Sequence, residues 1–339
     1  MNKVGIYAGK QNVRVEERPM PEIGPKDVLL RNLRGGICGT DINIVKAGSE
    51  MMGIRYGKEF GHEFFGEVAE VGAEVQDLKA GMRVGVNPIT AKRVGRRLSL
   101  EAGGFSQYVV IEDAQLNYNL FEMNDQVTPE EAVLMEPMSV GFHGAFSVKP
   151  QKGERIVVLG AGPIGLSAAA GLIGEGIEDV IVVDIDEFRL EKAASLGAKT
   201  INTKEISLAE GLIAIAGTVN VYGQDLPNID AFVDTAGAPV LISEVINLVK
   251  PFARIAIIAV YKDDVPFSLV QVMSKELTIV GASGYTTEDI LKVIDHLNQK
   301  KTPISNIVTH VYGLDELQEA FDKAIAADQT IKVVVDLTK

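Results

Sequence analysis

The 339-residue chain contains a single cysteine, Cys38, and few basic residues for its acidic content. One thiol cannot form an internal disulfide bond, which is typical of a protein from a reducing compartment. The chain has 33 Lys and Arg against 46 Asp and Glu, a formal net charge of −13. This deficit of positive charge disfavours binding to nucleic acid or to anionic membranes, because both require clustered cations.

We also expect no segment that crosses a membrane or directs secretion. The N-terminus leads into a short alternating segment, Val4 to Tyr7, without the apolar core and cleavage site of a signal peptide. The one long uncharged stretch, Ile156 to Gly174, begins as a strand and is broken by three glycines and a proline. We therefore expect a cytoplasmic protein with no membrane partner.

The length exceeds that of one ordinary core and predicts two domains. Short β-type runs separated by Gly and Pro are typical of a β-rich, barrel-like domain; they cover residues 4–7, 28–32, 66–71, 83–86 and 105–111. Apolar strands between helical segments are typical of a parallel α/β sheet; they cover residues 155–159, 180–184, 231–234, 254–260 and 277–280. Thr128 to Glu131 has the pattern of a capped helix start, and we expect that helix to reach about Ser147.

A glycine-rich turn directly follows the first strand of the α/β region. The strand, residues 155–159, leads into Gly160-Ala161-Gly162-Pro163-Ile164-Gly165 and then into a helical segment. In a dinucleotide fold the first glycine permits the tight turn, the second admits the pyrophosphate, and the third lets the helix pack on the strand. The alternative is a Gly-rich turn in another α/β protein, which this strand and helix context disfavours.

Asp184 ends the second strand, about 20 residues past the glycines. A carboxylate there accepts hydrogen bonds from the adenosine ribose hydroxyls and repels a 2′-phosphate. We therefore expect NAD rather than NADP. NADP stays the alternative, because Arg189 is near in sequence and an arginine can bind a 2′-phosphate.

Two clusters offer candidate metal ligands. Cys38 lies in Gly-Ile-Cys-Gly-Thr-Asp, and His62 and Glu63 lie in Gly-His-Glu-Phe-Phe-Gly. Sulfur, nitrogen and oxygen donors suit a zinc ion that keeps an open coordination position. Spacing alone leaves the alternatives open, since a lone cysteine is usually a small buried hydrophobe and a lone histidine a structural residue.

Five motifs occur in order along the chain. They are Cys-Gly-Thr-Asp (38–41), Gly-His-Glu-Phe-Phe-Gly-Glu-Val (61–68), Gly-Gly-Phe-Ser-Gln-Tyr (103–108), Met-Glu-Pro (135–137) and Gly-Ala-Gly-Pro-Ile-Gly-Leu (160–166). In this combination the chain resembles the zinc-dependent medium-chain alcohol dehydrogenases, most of all the sorbitol, polyol, butanediol and threonine dehydrogenase branch. The resemblance covers essentially the whole chain. It implies an α/β protein with a GroES-like β-rich catalytic domain (1–137 and 281–339) and a Rossmann domain with a doubly wound parallel sheet (138–280).

The resemblance also implies a catalytic metal site. Cys38 and His62 would bind one zinc ion, Glu63 would be a third ligand or lie close behind the ligands, and Glu136 would be the exchangeable fourth ligand. A helix-surface contact is the alternative role of Glu136. Zinc would act as a Lewis acid on a secondary alcohol, Thr40 would pass the proton outward, and hydride would go to the nicotinamide.

Two further cofactor contacts follow from the resemblance. Lys332 matches a basic residue that touches the cofactor pyrophosphate. Ile258 to Val260 match the strand under the nicotinamide ring. Together with the glycine turn and Asp184, these residues form the expected NAD site.

The chain departs from the family pattern at two places. Residues 89–102 replace a longer lobe that often binds a structural zinc, and they contain no cysteine, so we expect only the catalytic ion. Asn43 stands where members often have a histidine at the outer end of a proton relay, and Asn cannot titrate. The basic residues of the shortened loop, Lys92, Arg93, Arg96 and Arg97, would meet an anionic substrate or, more simply, solvent.

The substrate stays open at this point. A polyol, a sugar acid, a diol or a 3-hydroxy amino acid would each suit the expected chemistry, and residues 48–60 and 281–285 are expected to help line the pocket. A zinc-free reductase of the same superfamily and a catalytically silent nucleotide sensor are the competing functions, and the retained candidate ligands disfavour both. The resemblance also implies a homodimer or homotetramer. His143, seven residues after Glu136, is expected to pack in the core.

Overall fold

The computed structural model describes residues 1–48, 54–93, 96–97, 103–266 and 268–339, without the side chains of residues 93, 96 and 97. The strands are β1 Asn2–Tyr7, β2 Val13–Arg18, β3 Val28–Gly36, β4 Glu63–Val71, β5 Arg83–Val86, β6 Lys92–Arg93, β7 Arg96–Arg97, β8 Tyr108–Ile111, β9 Leu120–Glu122, β10 Arg155–Leu159, β11 Asp179–Asp184, β12 Lys199–Asn202, β13 Thr218–Val221, β14 Gln224–Pro227, β15 Ala231–Asp234, β16 Arg254–Ile257, β17 Thr278–Gly281, β18 Val308–Gly313 and β19 Lys332–Asp336. The helices are α1 Gly39–Ala47, α2 Pro129–Ala132, α3 Met135–Ser147, α4 Pro163–Gly174, α5 Glu187–Ser195, α6 Leu208–Ala216, α7 Pro239–Leu248, α8 Leu269–Ser274, α9 Thr287–Asn298 and α10 Leu317–Ala326, with 3-10 turns at Ile304–Ile307 and Leu314–Glu316.

The chain forms two compact units. One contains Met1–Glu136 and Val308–Lys339, and the other contains Pro137–Ile307. Residues up to Ile307 belong to the second unit because α9 packs against α4. The functional domain limits at 137/138 and 280/281 stay a prediction.

A seven-stranded sheet organises the first unit. Its order is β18-β19-β3-β4-β5-β9, and β8 also pairs with β3. All of these pairs are antiparallel except β18–β19. Apolar side chains of β3, β4, β5 and β8 form a buried core that includes Leu30, Phe64, Val84 and Val109. The β-rich first unit confirms the expected fold class, although β3 and β4 are longer than their apolar patterns indicated.

The helix expected from Thr128 to Ser147 is interrupted. Thr128 caps α2 as predicted, accepting a hydrogen bond from Glu131 N, while the Glu131 carboxylate accepts one from Thr128 N. α2 nevertheless ends at Ala132, and α3 begins at Met135. Pro137 explains the break, since it has no N–H to donate to the carbonyl of Val133 and suits the first turn of a new helix. One continuous helix over 128–147 is therefore wrong.

The second unit contains a six-stranded parallel sheet with the order β12-β11-β10-β15-β16-β17. This is the 3-2-1-4-5-6 order of the Rossmann fold, and it confirms the expected doubly wound sheet. The central strands β10, β11 and β15 are almost fully buried. The half-exposed β12 and the hairpin β13–β14 were not predicted, because their apolar patterns are weak.

β16 is shorter than expected, and the strand predicted to reach Val260 is wrong. It ends at Ile257, because the N–H of Ala259 donates to the carbonyl of Asp234, the same acceptor that Ile258 uses, and so does not extend the ladder. Among the described residues, none of the helices has the length and apolar character needed to cross a bilayer.

Candidate metal and nucleotide sites

Three strand ends meet at one point in the first unit. Gly36 at the end of β3 pairs with Glu63 at the start of β4, and with Val334 on β19, two residues after Lys332. A Cβ atom on Gly36 would lie 2.5 Å from Oε2 of Glu63 and 3.0 Å from Cε of Lys332. Glycine is therefore required at position 36 if these two side chains are to meet there.

Glu63 and Lys332 form a buried ion pair at this point. Lys332 is 1% and Glu63 2% exposed, their charged groups are in contact, and Nζ of Lys332 also donates to the carbonyl of Ile37 at 3.0 Å. Burial alone would lower the pKa of Lys332, but the negative charge of Glu63 outweighs it and raises the pKa. The ammonium is thus held beside Glu63, and its contact with a cofactor pyrophosphate stays a prediction.

The same point holds the predicted metal ligands. Ligand atoms of Cys38, His62 and Glu63 all lie within 4.8 Å of one another. Cys38 is the N-cap of α1, just after β3, and His62 directly precedes β4, so the β3–β4 register brings the thiol and the imidazole together. A thiol, an imidazole and a carboxylate fit the donor preferences of a divalent zinc ion.

Asp41 stands behind the imidazole and was not predicted. It is fully buried in the first turn of α1, and its Oδ2 accepts a hydrogen bond from Cys38 N at 3.0 Å. Its Oδ1 lies 3.7 Å from Nδ1 of His62, and neither atom has a hydrogen-bond partner among the described residues. A carboxylate facing one ring nitrogen orients a metal-binding histidine and leaves the other nitrogen for the metal. The Cys-Gly-Thr-Asp motif carried this signal, since its aspartate occupies the third position of the helix.

Burial and neighbouring charges shift the acidities in the cluster. Burial and the negative charge of Glu63 raise the pKa of Cys38, and the hydrogen bond with His62 only partly opposes this. Burial alone would lower the pKa of His62, but the carboxylate of Asp41 and the contact with Cys38 raise it well above its usual value. The charges of Asp41 and Glu63 therefore shift the pKa values of Cys38 and His62, the two nearest candidate ligands.

Glu136 and Thr40 lie outside the three-residue cluster. Glu136 is half-buried in the first turn of α3, and its charge helps to raise the pKa of both His62 and Lys332. It is therefore electrostatically close, while its role as the fourth ligand stays a prediction. Thr40 is half-buried in the first turn of α1, and Asn43 is exposed one turn later.

The glycine turn of the second unit has the geometry that its sequence predicts. Gly160 has φ +97°, which disfavours any residue with a Cβ. A Cβ on Gly165 would overlap the carbonyl oxygen of Gly160, so the third glycine lets α4 approach β10. A Cβ on Gly162 would meet nothing within 4 Å, and this residue caps α4, which begins with Pro163 and Ile164.

Asp184 lies beside this turn at the carboxyl end of β11. Its Oδ2 accepts a hydrogen bond from Ala161 N at 2.6 Å, and its Oδ1 accepts one from Ile185 N at 2.7 Å. Arg189, on α5, has its Nε 4.0 Å from Asp186. The structure thus brings Asp184 to the glycine turn.

The segment after β16 contains the other predicted cofactor residues. Ile258 is half-buried, and Val260 is 91% exposed. Both follow the carboxyl end of β16, although neither is in the strand.

Several minor expectations have different outcomes. His143 is not simply a core residue, because its side chain is 30% exposed and Nδ1 lies 2.9 Å from Oδ2 of Asp289.

Lys92 lies 3.8 Å from Asp113, while residues 94–95 and 98–102 and the other basic side chains of that loop lie outside the description. Residues 49–53 of the expected pocket segment also lie outside it. The absence of a structural zinc stays a prediction.

Comparison with known proteins adds family information. Residues 24–120 match the model of the alcohol dehydrogenase GroES-like domain, and residues 163–299 match that of zinc-binding dehydrogenases. An L-threonine 3-dehydrogenase of Legionella pneumophila is 30% identical over 95% of this chain and 96% of that enzyme. A sorbitol dehydrogenase of Bacillus subtilis is 29% identical over 98% and 96%. The crystal structure of 2R,3R-butanediol dehydrogenase from Bacillus subtilis superimposes with a TM-score of 0.86 at 25% identity, covering 99% and 100%.

Replacing Lys332 by Met tests the buried ion pair. The variant keeps an unbranched side chain but leaves the Glu63 carboxylate without its counter-ion, so the free energy of unfolding should fall by about 3–5 kcal/mol. Urea denaturation followed by circular dichroism, with a metal chelator present, measures this loss. The double variant Glu63→Gln, Lys332→Met should recover most of it. Equal losses in the single and the double variant would contradict the pairing.

Proposed function

Because this chain belongs to the zinc-binding, medium-chain alcohol dehydrogenase family, we propose that it is a zinc- and NAD-dependent oxidoreductase that interconverts a secondary alcohol and its ketone. The single observation that carries the proposal is the cluster of half-buried Cys38 with buried His62 and Glu63, whose donor atoms lie within 4.8 Å of one another. The use of the only thiol as a metal ligand also supports a reducing, cytoplasmic location.

The residues of the first unit would hold one catalytic zinc ion. Cys38 and His62 supply sulfur and nitrogen, Glu63 is a third ligand or lies close behind the ligands, and Glu136 completes the set. Bound there, zinc would supply Lewis-acid polarisation of the substrate hydroxyl. Asp41 keeps the imidazole oriented, and Lys332 balances the charge of Glu63.

The proton of the alcohol has a short route outward along α1. Thr40 is half-buried in the first turn, so its hydroxyl can accept a proton from the substrate side and donate one outward. Asn43 is exposed one turn later and cannot titrate. We therefore propose that the route continues from Thr40 through water or the cofactor ribose.

The second unit would bind NAD. Gly160, Gly162 and Gly165 shape the turn for the pyrophosphate, and the N-terminus of α4 at Pro163 and Ile164 provides positive dipole and N–H groups. Asp184 supports NAD over NADP, because its carboxylate lies at the turn and would repel a 2′-phosphate. The bound nicotinamide would supply the hydride acceptor. Ile258, Val260 and Arg189 are the remaining proposed contacts in this unit, and Lys332 of the first unit is proposed as a further one.

The named relatives support a substrate class. Their names contain three substrates, L-threonine, sorbitol and 2R,3R-butanediol. In each of them a secondary hydroxyl lies next to a carbon that bears a second hydroxyl or an amino group. We therefore propose a polyol, sugar alcohol, sugar acid or diol for this chain, with an L-threonine-type 3-hydroxy amino acid as the alternative. A silent nucleotide sensor is the alternative of another class, and the intact cluster of Cys38, His62 and Glu63 disfavours it.

We also propose that two or four copies associate through the edge of the second unit. Among the described strands, β17 pairs with β16 alone, and the preceding helix α8 exposes Leu269, Val270 and Met273 by 66–73%. An apolar groove of about 290 Å³, lined in part by Ile246 and Ile279, adjoins this edge. Exposed apolar side chains near an open strand edge favour coverage by a second copy.

The metal proposal predicts that Cys38→Ser and His62→Ala lose zinc and turnover together. Metal analysis, beside NADH absorbance with a panel of polyols, diols and L-threonine at alkaline pH, measures both. Asn43→Ala, on the exposed face of the same helix, is the matched control and should retain zinc. Full activity in a verified metal-free preparation would refute the proposal.

The cofactor proposal predicts that Asp184→Gly weakens NAD binding by about tenfold or more, because the ribose loses a charged hydrogen-bond acceptor. Binding of NADP should be unchanged or tighter, and titration with both cofactors measures the ratio. Asp186→Asn, two residues later, is the control that should keep the wild-type preference. A wild-type ratio in Asp184→Gly would count against the assignment.

The assembly proposal predicts that Val270→Asp with Met273→Asp halves the particle mass, from a dimer to one 36.4 kDa chain or from a tetramer to a dimer. The two introduced carboxylates would lose their water in the interface, and this cost disfavours association. Light scattering after size exclusion gives the mass. Tyr222→Asp, fully exposed at the tip of the β13–β14 hairpin, should leave the mass unchanged. A wild-type protein that is monomeric would rule the assembly out.

A further inference from the structure

One short stretch of α3 contacts segments that follow three different parallel strands of the second unit. At Gly141 a Cβ atom would lie 2.7 Å from Cβ of Ser167 and 2.8 Å from the carbonyl oxygen of Ile164, so α3 lies directly on the start of α4. At Gly144 a Cβ atom would overlap the side chain of Ile258, just after β16. His143, between them, reaches the start of α9, which follows β17.

The contact of His143 is a hydrogen bond to a well-defined carboxylate. Oδ2 of Asp289 lies 2.9 Å from Nδ1 of His143, and it also accepts from the N–H of Thr286 at 2.9 Å and from its hydroxyl at 2.7 Å. Asp289 is 6% exposed and belongs to the capping box of α9. Since a carboxylate only accepts, the proton is on Nδ1 of His143. His143 therefore ties α3 to Asp289, whose carboxylate in turn holds Thr286, five residues after the end of β17.

The place of these contacts in the sheet gives them a functional meaning. In a doubly wound sheet a dinucleotide lies outside the carboxyl ends of the strands and spans the point where the strand order reverses, here between β10 and β15. The glycine turn and Asp184 occupy the β10–β11 half. The other nucleotide of NAD, which bears the nicotinamide, must then face the ends of β15, β16 and β17. Ile258 and the segment up to Thr286 lie at those ends.

We propose that His143 and Gly144 are a positioning pair for the nicotinamide half of the cofactor site. Gly141 holds α3 against α4, and from this fixed point Gly144 sets the place of Ile258 while His143 sets the place of the segment between β17 and α9. Neither residue acts on the adenosine half. The inference rests on the proposed use of NAD and adds two residues that position parts of its site.

Binding of two different ligands tests the two halves of the site independently. NADH contains both nucleotides, whereas ADP-ribose contains the adenosine and the pyrophosphate but no nicotinamide. For Gly144→Ala, which pushes on Ile258, and for His143→Ala, which removes the link between α3 and Asp289, we expect the Kd for NADH to rise about tenfold. The Kd for ADP-ribose should stay within about twofold of wild type. His143→Asn, whose amide can donate in place of Nδ1, should retain near wild-type affinity for NADH.

A purely structural role would not produce this split. His296→Gln is the matched control, because His296 is buried on α9, packs edge-on against Phe142 of α3 and bonds to Thr302. It should lower the melting temperature and leave the ratio of the two Kd values unchanged. Equal weakening of both ligands, or no weakening of NADH, in Gly144→Ala and His143→Ala would overturn the positioning role. A wild-type chain that binds neither ligand would instead refute the NAD proposal itself, and the positioning role with it.

Discussion

The register of β3 against β4 and β19 is the constraint on which the candidate metal site depends. It places Gly36 opposite Glu63 and beside the start of β19, where the missing side chain of the glycine makes room for the buried Glu63–Lys332 ion pair. A shift of one residue would move Glu63 to the other face of the sheet. The same register places Cys38, just after β3, next to His62, just before β4. The hydrogen-bonded ladder thus decides which donor atoms can meet.

The proposed dinucleotide site of the second unit depends on a different feature, the close approach of neighbouring backbone segments. Gly160 adopts a positive φ, Gly165 lets α4 touch the turn, and Gly141 and Gly144 let α3 lie against α4 and Ile258. Each of these glycines removes a side chain where two segments meet. Two carboxylates accept backbone hydrogen bonds at these segments, Asp184 beside the glycine turn and Asp289 at the cap of α9. The proposed dinucleotide site therefore depends on small residues for its shape and on two carboxylates for its alignment.

Most of the fold could be predicted from the sequence, because buried parallel strands are continuous apolar runs and the glycine turn has a recognisable spacing. The weakly apolar β12 and the early end of β16 could not, since the second depends on where two N–H groups find an acceptor. The candidate ligands Cys38, His62 and Glu63 came from motif order, and only the register explains why they meet. The pairing of Lys332 with Glu63 joins residues 269 positions apart, and no local sequence pattern indicates it. Asp41 could have been found, because a third-position aspartate after an N-cap has a local signature.

The central claim is that one divalent ion is bound by the only thiol of the chain together with the neighbouring imidazole and carboxylates. X-ray absorption at the zinc edge of the purified, zinc-loaded protein measures the donor set directly. The account predicts one zinc per chain with a single sulfur at about 2.3 Å and nitrogen or oxygen donors at about 2.0–2.2 Å. A spectrum with no sulfur in the first coordination shell, or with only the oxygen donors of a solvated ion, would contradict it.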